Sequence, residues 1–498
     1  MENVKSRKIN VPAIRIQKAI LNNFKGVKHG VIEFNCLNNH TEKDIRADIL
    51  GIYGQNGSGK TTFLEVLSIL RHVLNGTKIP YLPYKDIVAQ GADFARAEFL
   101  FLFEREDGSF FDVNYAFSIK EDTEVKLVKE NTNEERFQNI DANELDADSN
   151  RIDIIRIFDE VISIGGNFMG TEVRFGPIFD TRSTEHPFVP QAKHKCFFPE
   201  NTTASIKDLA RYKIRSYNNA TSFIFGIDMR TLLFEQPQND YSDLIFSLKI
   251  FARSMLRVIE PKNGGRFSNG SMIIYTANGG FRIREFDSST FLEEEGLETL
   301  NKAIIGINTV LKQIIPGLTL EAVKQVDIGL DNGPVNNTNN RPGIQIKIYS
   351  VRDNVRIPLG LESEGIKKIV SALNLFAYAF VNDTVTVAID EFDSGVYEYL
   401  LGELISVFEE YGQGQLIFTS HNLRPLEVMN RKFVCFTTAN SEQRYLRPKN
   451  IRDSNNLRDV YLREIIAGGQ DEDLYVSSKH GKIAAALQKA GEIIAEES

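Results

Sequence analysis

The sequence predicts an α/β fold, a mixed β-sheet head with helices, and three observations lead there. Residues 47–53 (ADILGIY) read as a buried type of strand, and they run directly into Gly54, Gln55, Asn56, Gly57, Ser58, Gly59, Lys60 and Thr61. Phe63, Leu64, Leu67, Leu70 and Val73 then recur at helical spacing. In the last third, helical stretches at 364–380 and about 396–410 alternate with short β-branched runs at 384–389, 415–419 and 433–437. Short apolar strands separated by helices are the pattern of a parallel sheet covered on both faces.

The remaining elements follow in chain order. Residues 14–35 read as two strands around a break at Asn22 and Asn23, and residues 96–104 and 109–118 alternate around Glu106, Asp107, Gly108 and Ser109, a hairpin signal. Residues 121–160 carry 13 acidic and 5 basic side chains, which reads as a solvated insertion. Residues 203–260 look mainly helical, and a helix at 291–314 is closed by Pro316 and Gly317. Strands at 320–328 and 343–351 flank a loop at 331–342 rich in Asn, Gly and Pro. The expected organisation is an N-terminal lobe (1–119), a large, mainly helical insertion (120–340) and a C-terminal lobe (341–498).

Composition sets outer bounds. The 498 residues are 42% hydrophobic and 25% charged, ordinary values for a globular chain that can bury a sizeable core. The net charge of −9 argues against a dedicated polybasic nucleic-acid binder, though not against a local basic groove. Cys36, Cys196 and Cys435 are too scattered for a disulfide framework or a zinc ribbon. His186, His194 and Cys196 match no metal spacing and read as loop residues. The N-terminus has no apolar core of a secretory signal, and Ile369 to Val381 is too short to span a bilayer. A cytoplasmic protein without membrane contact is the expectation.

The glycine-rich turn carries the chemistry. Gly54 through Thr61 match GxxxxGK followed by Thr. Glycines let backbone N–H groups curl round phosphate oxygens, and the following helix presents its positive end to the anion. Lys60 is placed to reach the β- and γ-phosphates, and the Thr61 hydroxyl to reach Mg²⁺. Strand 384–389 ends in Asp390 and Glu391, where a carboxylate that holds the metal through water and a general base belong. Strand 415–419 ends in Ser420 and His421, which places the imidazole beside the γ-phosphate. Ser363 and Gly365 open the helix before the Asp390 strand. They read either as an ordinary capped helix start or as an anion site that clamps a phosphate.

Together these four elements resemble the ABC-type ATPase head of the SMC, Rad50 and OLD proteins, over roughly residues 12–119 and 340–450. Ala19 to Gly26 is similar to the NFRxF opening of such heads. Glu362 to Lys368 is similar to their degenerate signature, Asp390 to Gly395 to Walker B and D-loop, and Thr419 to Asn422 to the switch histidine. The nearest subgroup is the AAA-15-like stand-alone bacterial ATPases, which include ATPase subunits of anti-phage systems such as Septu and PARIS. The resemblance implies ATP and Mg²⁺, with Asn56, Gly57, Ser58, Gly59, Lys60, Thr61 and Thr62 of one subunit facing Ser363 and Gly365 of another. It implies Gln90 as the Q-loop glutamine, Asp393 near the dimer seam, and Phe24 and Lys25 near adenine or phosphate.

Two departures shape the functional expectation. Lys60 and Asp390 lie far apart in sequence, so the intervening segment is expected to carry the specific role. The stretch after His421 leaves little room for the nuclease domain of OLD proteins. The leading expectation is therefore a homodimeric or higher-oligomeric sensor ATPase of bacterial defence that controls a separately encoded nuclease or toxin. A DNA-repair or chromosome-maintenance clamp resembling RecF or Rad50, with nucleic acid as partner, is the alternative. A scaffold with an idle nucleotide pocket is the third.

Overall fold

The computed structural model describes residues 12–34, 47–125, 151–168, 170–183, 191–198, 206–259, 271–276, 279–284, 288–328, 343–449, 456–467, 471–474 and 486–490. Its elements, in chain order, are β1 (Ala13–Phe24), β2 (Val27–Glu33), β3 (Asp48–Tyr53), α1 (Lys60–Asn75), β4 (Ala95–Glu104), β5 (Phe110–Val125), β6 (Arg151–Phe168) and β7 (Thr171–Asp180). Next come α2 (His194–Phe197), α3 (Ile206–Asn218), α4 (Ile227–Glu235), α5 (Asp240–Ile250), β8 (Leu256–Ile259), β9 (Ser271–Thr276), β10 (Gly279–Arg284), β11 (Ser289–Leu292) and α6 (Glu294–Ile314). Then follow β12 (Thr319–Ile328), β13 (Gly343–Arg352), β14 (Val355–Pro358), α7 (Glu364–Val381), β15 (Thr386–Ile389) and α8 (Glu398–Tyr411). The last are β16 (Gln415–Thr419), α9 (Arg424–Val428), β17 (Val434–Thr437), β18 (Tyr445–Leu446) and α10 (Leu457–Ala467).

A sheet in the order β18-β17-β3-β16-β15-β8 forms the centre, parallel except for β18. Every residue of β3, β15, β16 and β17 is buried, which explains their short apolar spelling. Because side chains alternate along a strand, each strand feeds two cores. Leu50, Ile52, Ala388, Ile417 and Cys435 join a core with α1 and an antiparallel sheet in the order β2-β1-β4-β5-β6-β7. Ile49, Tyr53, Val387, Ile389, Leu416 and Phe418 join a second core with α6, α7, α8 and the sheet β11-β13-β12. Gln415 fastens the central sheet to the antiparallel one. Its side-chain oxygen accepts from the Ile16 amide and the Thr386 hydroxyl, each at 3.1 Å, and its nitrogen donates to Ile16 O and Asp48 Oδ2, each at 2.8 Å. A buried amide satisfied this fully fixes the register of the strands it bridges.

Helices α3, α4, α5 and α6 lie where helices were expected, but among the described residues of segment 120–340 strands are as prominent as helices. β5, β6 and β7 extend the antiparallel sheet, β8 adds to the edge of the central sheet beside β15, and β9 to β12 are also strands. The period-two pattern at 151–158 (RIDIIRIF) was present in the sequence, hidden inside a charge run whose residues 126–150 lie outside the described residues. Glu160 of β6 is buried, and its carboxylate accepts from Tyr115 Oη (2.7 Å), Ser222 Oγ (2.5 Å) and the Phe223 amide (2.7 Å). That network joins the antiparallel sheet to the α3–α4 connection. Burial pushes the Glu160 pKa up, with the same hydrogen bonds opposing it.

The first turn also differs. β1 continues through Asn23, which adopts φ 60°, and reverses at Lys25 and Gly26 instead of at Asn22 and Asn23. The loop expected at 331–342 lies outside the described residues, as do Cys36 and His186. His194 and Cys196 sit in the short helix α2, away from any metal-type cluster among the described residues. Among the described residues, no helix is long and apolar enough to cross a membrane.

Candidate active site

β3 ends at Tyr53, and the chain turns through Gly54 to Gly59 before α1 starts at Lys60. Gly57 and Gly59 have φ 75° and 91°, the left-handed region in which glycine is unstrained. A methyl group on Gly54 would lie 1.7 Å from Thr437 Oγ1, so the end of β17 leaves room only for glycine there. Ser58 Oγ donates to Gln55 O at 2.6 Å and shares a hydrogen bond with Thr437 Oγ1, which locks the loop from within. Tyr445 of β18 donates to Gly59 O at 2.7 Å from the outside. Asn56, Gly57 and Thr61 are exposed on the open side of the loop, while Thr62 is buried beneath it.

Lys60 is buried and donates to Gly54 O (2.7 Å) and Gln55 O (2.9 Å), curling back over its own loop. Burial lowers its pKa, and the charges of Asp390, Glu391 and Asp393 oppose that shift. The lysine from the start of α1 and the carboxylates from the end of β15 therefore share one electrostatic site, although they are distant in sequence. The parallel pairing of β3, β16 and β15 brings their carboxyl ends side by side and produces this convergence.

Asp390 is 1% exposed. Its Oδ1 accepts from the Thr419 hydroxyl, and its Oδ2 has no hydrogen-bond partner among the described residues. Burial raises its pKa, while Thr419 and Thr61 pull it back. An orphaned carboxylate oxygen beside a threonine hydroxyl supplies the hard oxygen donors that suit Mg²⁺. Among the described residues no group of three or more His, Cys, Asp or Glu is placed to hold a metal ion. Asp390 and Thr61 fit the ion that the phosphate loop implies.

Glu391 follows in the left-handed region at φ 44°, a conformation that costs a non-glycine residue energy and turns the chain sharply off the strand end. Its amide donates to Thr419 Oγ1 at 2.7 Å. Thr419 thus organises both acidic residues, a role that the sequence alone did not reveal. Asp393 Oδ2 accepts from the amides of His421 (3.1 Å) and Asn422 (3.0 Å), which ties the turn after β15 to the loop after β16. The His421 residue is exposed at that loop.

Ser363 caps α7 by accepting from the Ile366 amide at 3.4 Å, so the capped-helix reading holds for the free chain. Gly365 is buried against the turn after β15. A methyl group there would lie 2.1 Å from Gly395 O, and Gly395 itself has φ 73°. Lys368, one turn on, donates to the Glu391 carbonyl and is buried. In the sequence Lys368 lies within the helix start, and nothing in its neighbours gives it a role. All that marks it there is being a second lysine ahead of mostly apolar positions.

Two further expectations, for Phe24 and Lys25, resolve differently, and the structure also places Gln90. Phe24 is fully buried in the core beside α1 and cannot stack on a base. Lys25 Nζ is held by both Glu65 carboxylate oxygens at 2.6 Å instead of pointing freely toward phosphate. Gln90 is exposed in a loop anchored to the β1–β2 turn through the Ala89 amide, which donates to Asn23 O at 2.8 Å.

Several solved structures resemble this chain. "Crystal structure of the SmcHead bound to the C-winged helix domain of ScpA" has 12% identity and a TM-score of 0.36, covering 86% of this chain and 96% of that one. The SMC head domain from Thermotoga maritima has 14% identity and a TM-score of 0.32, covering 87% and 99%. The recombination mediator protein RecF with ATP has 13% identity and a TM-score of 0.30, covering 82% and 94%. No curated protein matches the chain. Residues 49–427, more than half of the sequence, match the family described as "AAA domain, putative AbiEii toxin, Type IV TA system", and the chain belongs to that family of P-loop ATPases.

Proposed function

We propose that the chain binds and hydrolyses ATP as the regulatory subunit of a bacterial defence system and controls a separately encoded nuclease or toxin. The observation that carries the ATPase reading is the convergence of Lys60, Asp390 and Glu391 at the carboxyl ends of β3 and β15. The family description, "AAA domain, putative AbiEii toxin, Type IV TA system", supports a toxin–antitoxin setting for this reading.

The residues divide the work as follows. The amides from Asn56 to Thr62 cradle phosphate oxygens, and Lys60 leaves its two loop carbonyls to meet the β- and γ-phosphates. Thr61 and Asp390 would hold Mg²⁺, which when bound would neutralise phosphate charge. Glu391 accepts a proton from water as the water oxygen bonds to the γ-phosphorus. The bond from that phosphorus to the bridging oxygen breaks, and ADP leaves with the electron pair. His421 donates to the γ-phosphoryl oxygens, and Gln90 approaches the site from the β1–β2 side. Ser363 and Gly365 of a second copy close over the nucleotide, so the working unit is a homodimer or a larger oligomer.

The test is capture of the Glu391→Gln protein from its host with ATP and Mg²⁺, read by mass spectrometry. A stoichiometric nuclease or toxin is the expected partner. Recovery of DNA and repair proteins, with binding that weakens steeply as salt rises, would contradict the regulatory role in favour of a clamp.

A further inference from the structure

We propose that Lys368 is a positioning residue for hydrolysis: its ammonium holds the Glu391 carbonyl and thereby fixes the backbone from which the general base projects. The inference rests on the ATPase reading above and extends it to a residue outside the phosphate loop and the strand ends.

The first observation is the contact itself. Lys368 Nζ donates to Glu391 O, while its neighbour Lys367 pairs with Glu364 of the same helix at 2.6 Å. Of two adjacent lysines, one serves its own helix and the other reaches across to the turn after β15. The second observation is the conformation being held. Glu391 is a non-glycine residue at φ 44°, and such residues persist in the left-handed region only where their surroundings over-determine them. Here the over-determination is visible. The Glu391 amide is bonded to Thr419 Oγ1, and its carbonyl accepts from both Lys368 and the Ser394 amide.

The third observation is cost. Lys368 is 8% exposed, on a helix whose following buried positions through Leu373 are apolar except for Ser371. Burying an ammonium costs free energy that an aliphatic side chain at the same place would avoid. Burial accordingly lowers its pKa, against the opposing charges of Asp393, Glu391 and Asp390. Finally, the first turn of α7 and the turn after β15 are in backbone contact at Gly365 and Gly395, so a shift of α7 cannot leave the Glu391 turn unmoved. Because Ser363 begins that same turn, whatever engages Ser363 acts on Glu391 through Lys368.

Lys368→Met replaces the amine with an apolar chain of similar length and keeps the buried volume. The expected result is a fall in kcat of about a hundredfold, the size associated with misplacing a catalytic group by about 1 Å, with ATP affinity within about twofold of wild type. In a Glu391→Gln background the same change adds no further loss, because the positioned base is already gone. Lys368→Arg retains a donor and recovers part of kcat, and it replaces the Met variant should that variant melt early. Glu391→Gln turning over at the wild-type rate would overturn the general-base reading. With Glu391→Gln inactive, a wild-type kcat in Lys368→Met, or a loss that adds in full to that of Glu391→Gln, would overturn the role of Lys368 alone.

Discussion

The two walls of the nucleotide site are built in different ways. The phosphate wall is one contiguous stretch, Gly54 to Thr62, braced by Thr437 and Tyr445. The carboxylate wall is drawn from three separate stretches, around residues 363–368, 390–395 and 419–422, joined by Thr419, Asp393, Lys368 and the Gly365–Gly395 contact. A contiguous loop can be recognised by its spelling because the backbone itself does the binding. An assembled wall depends on side chains that reach across elements, and its parts are individually unremarkable in sequence.

Substitutions can break this contrast at either wall. The largest effect belongs to Glu391→Gln, which should lower turnover by about 10²–10⁴-fold while leaving nucleotide affinity intact, measured by phosphate release and by equilibrium binding on the same preparation. Lys60→Ala should do the reverse and weaken ATP binding by about 10–100-fold, the equivalent of losing one charge-assisted contact, as read by calorimetric titration. Thr419→Val keeps the shape but strands the Asp390 carboxylate and the Glu391 amide, and denaturant unfolding should show a loss of about 1–3 kcal/mol. Gly365→Ala drives a methyl group into Gly395 O and should cost a similar amount, about 1–3 kcal/mol, together with part of kcat. If Thr419→Val and Gly365→Ala left stability and turnover unchanged, the carboxylate wall would be no more than a set of neighbours.

The smallest effect lies away from both walls and serves as a control. Burial, with Arg230 and Arg253 nearby, lowers the Lys249 pKa to about 8, while its ammonium donates to Asn75 O (2.6 Å) and Phe225 O (3.1 Å). The folded state therefore binds fewer protons than the unfolded state between about pH 8 and the ordinary lysine value. Stability should rise with pH through that window, and the slope should flatten in Lys249→Met without any change in ATP turnover. Chemical denaturation at a series of pH values measures it.

The strand–loop–helix around Gly54 to Thr62 and the strand ends were legible in the sequence because local rules govern them. The GxxxxGK spacing, the apolar run before Asp390 and the serine cap at Ser363 each follow from a short window. What depends on distant pairing was not legible there. β8 is four residues long and is recognisable only once β15 lies beside it, and β6 was hidden by the acidic run that precedes it. Phe24 was expected near adenine only because the family resemblance implies it. The alternation that buries Ala19 and Leu21 breaks at Asn23, whose φ of 60° precedes a Phe24 that is buried in the core. Lys368 shows the same limit at the site itself, since its partner, Glu391 O, is a backbone atom 23 residues away.

The most direct measurement is release of radiolabelled phosphate from ATP by the purified chain, with Mg²⁺ and with a chelator, in wild type and in Asp390→Asn. If the two walls form one metal-assisted ATPase site, wild type turns over with Mg²⁺ and stops with the chelator, and Asp390→Asn is inactive under both conditions. Undiminished turnover in Asp390→Asn, or none in wild type with Mg²⁺, would contradict it.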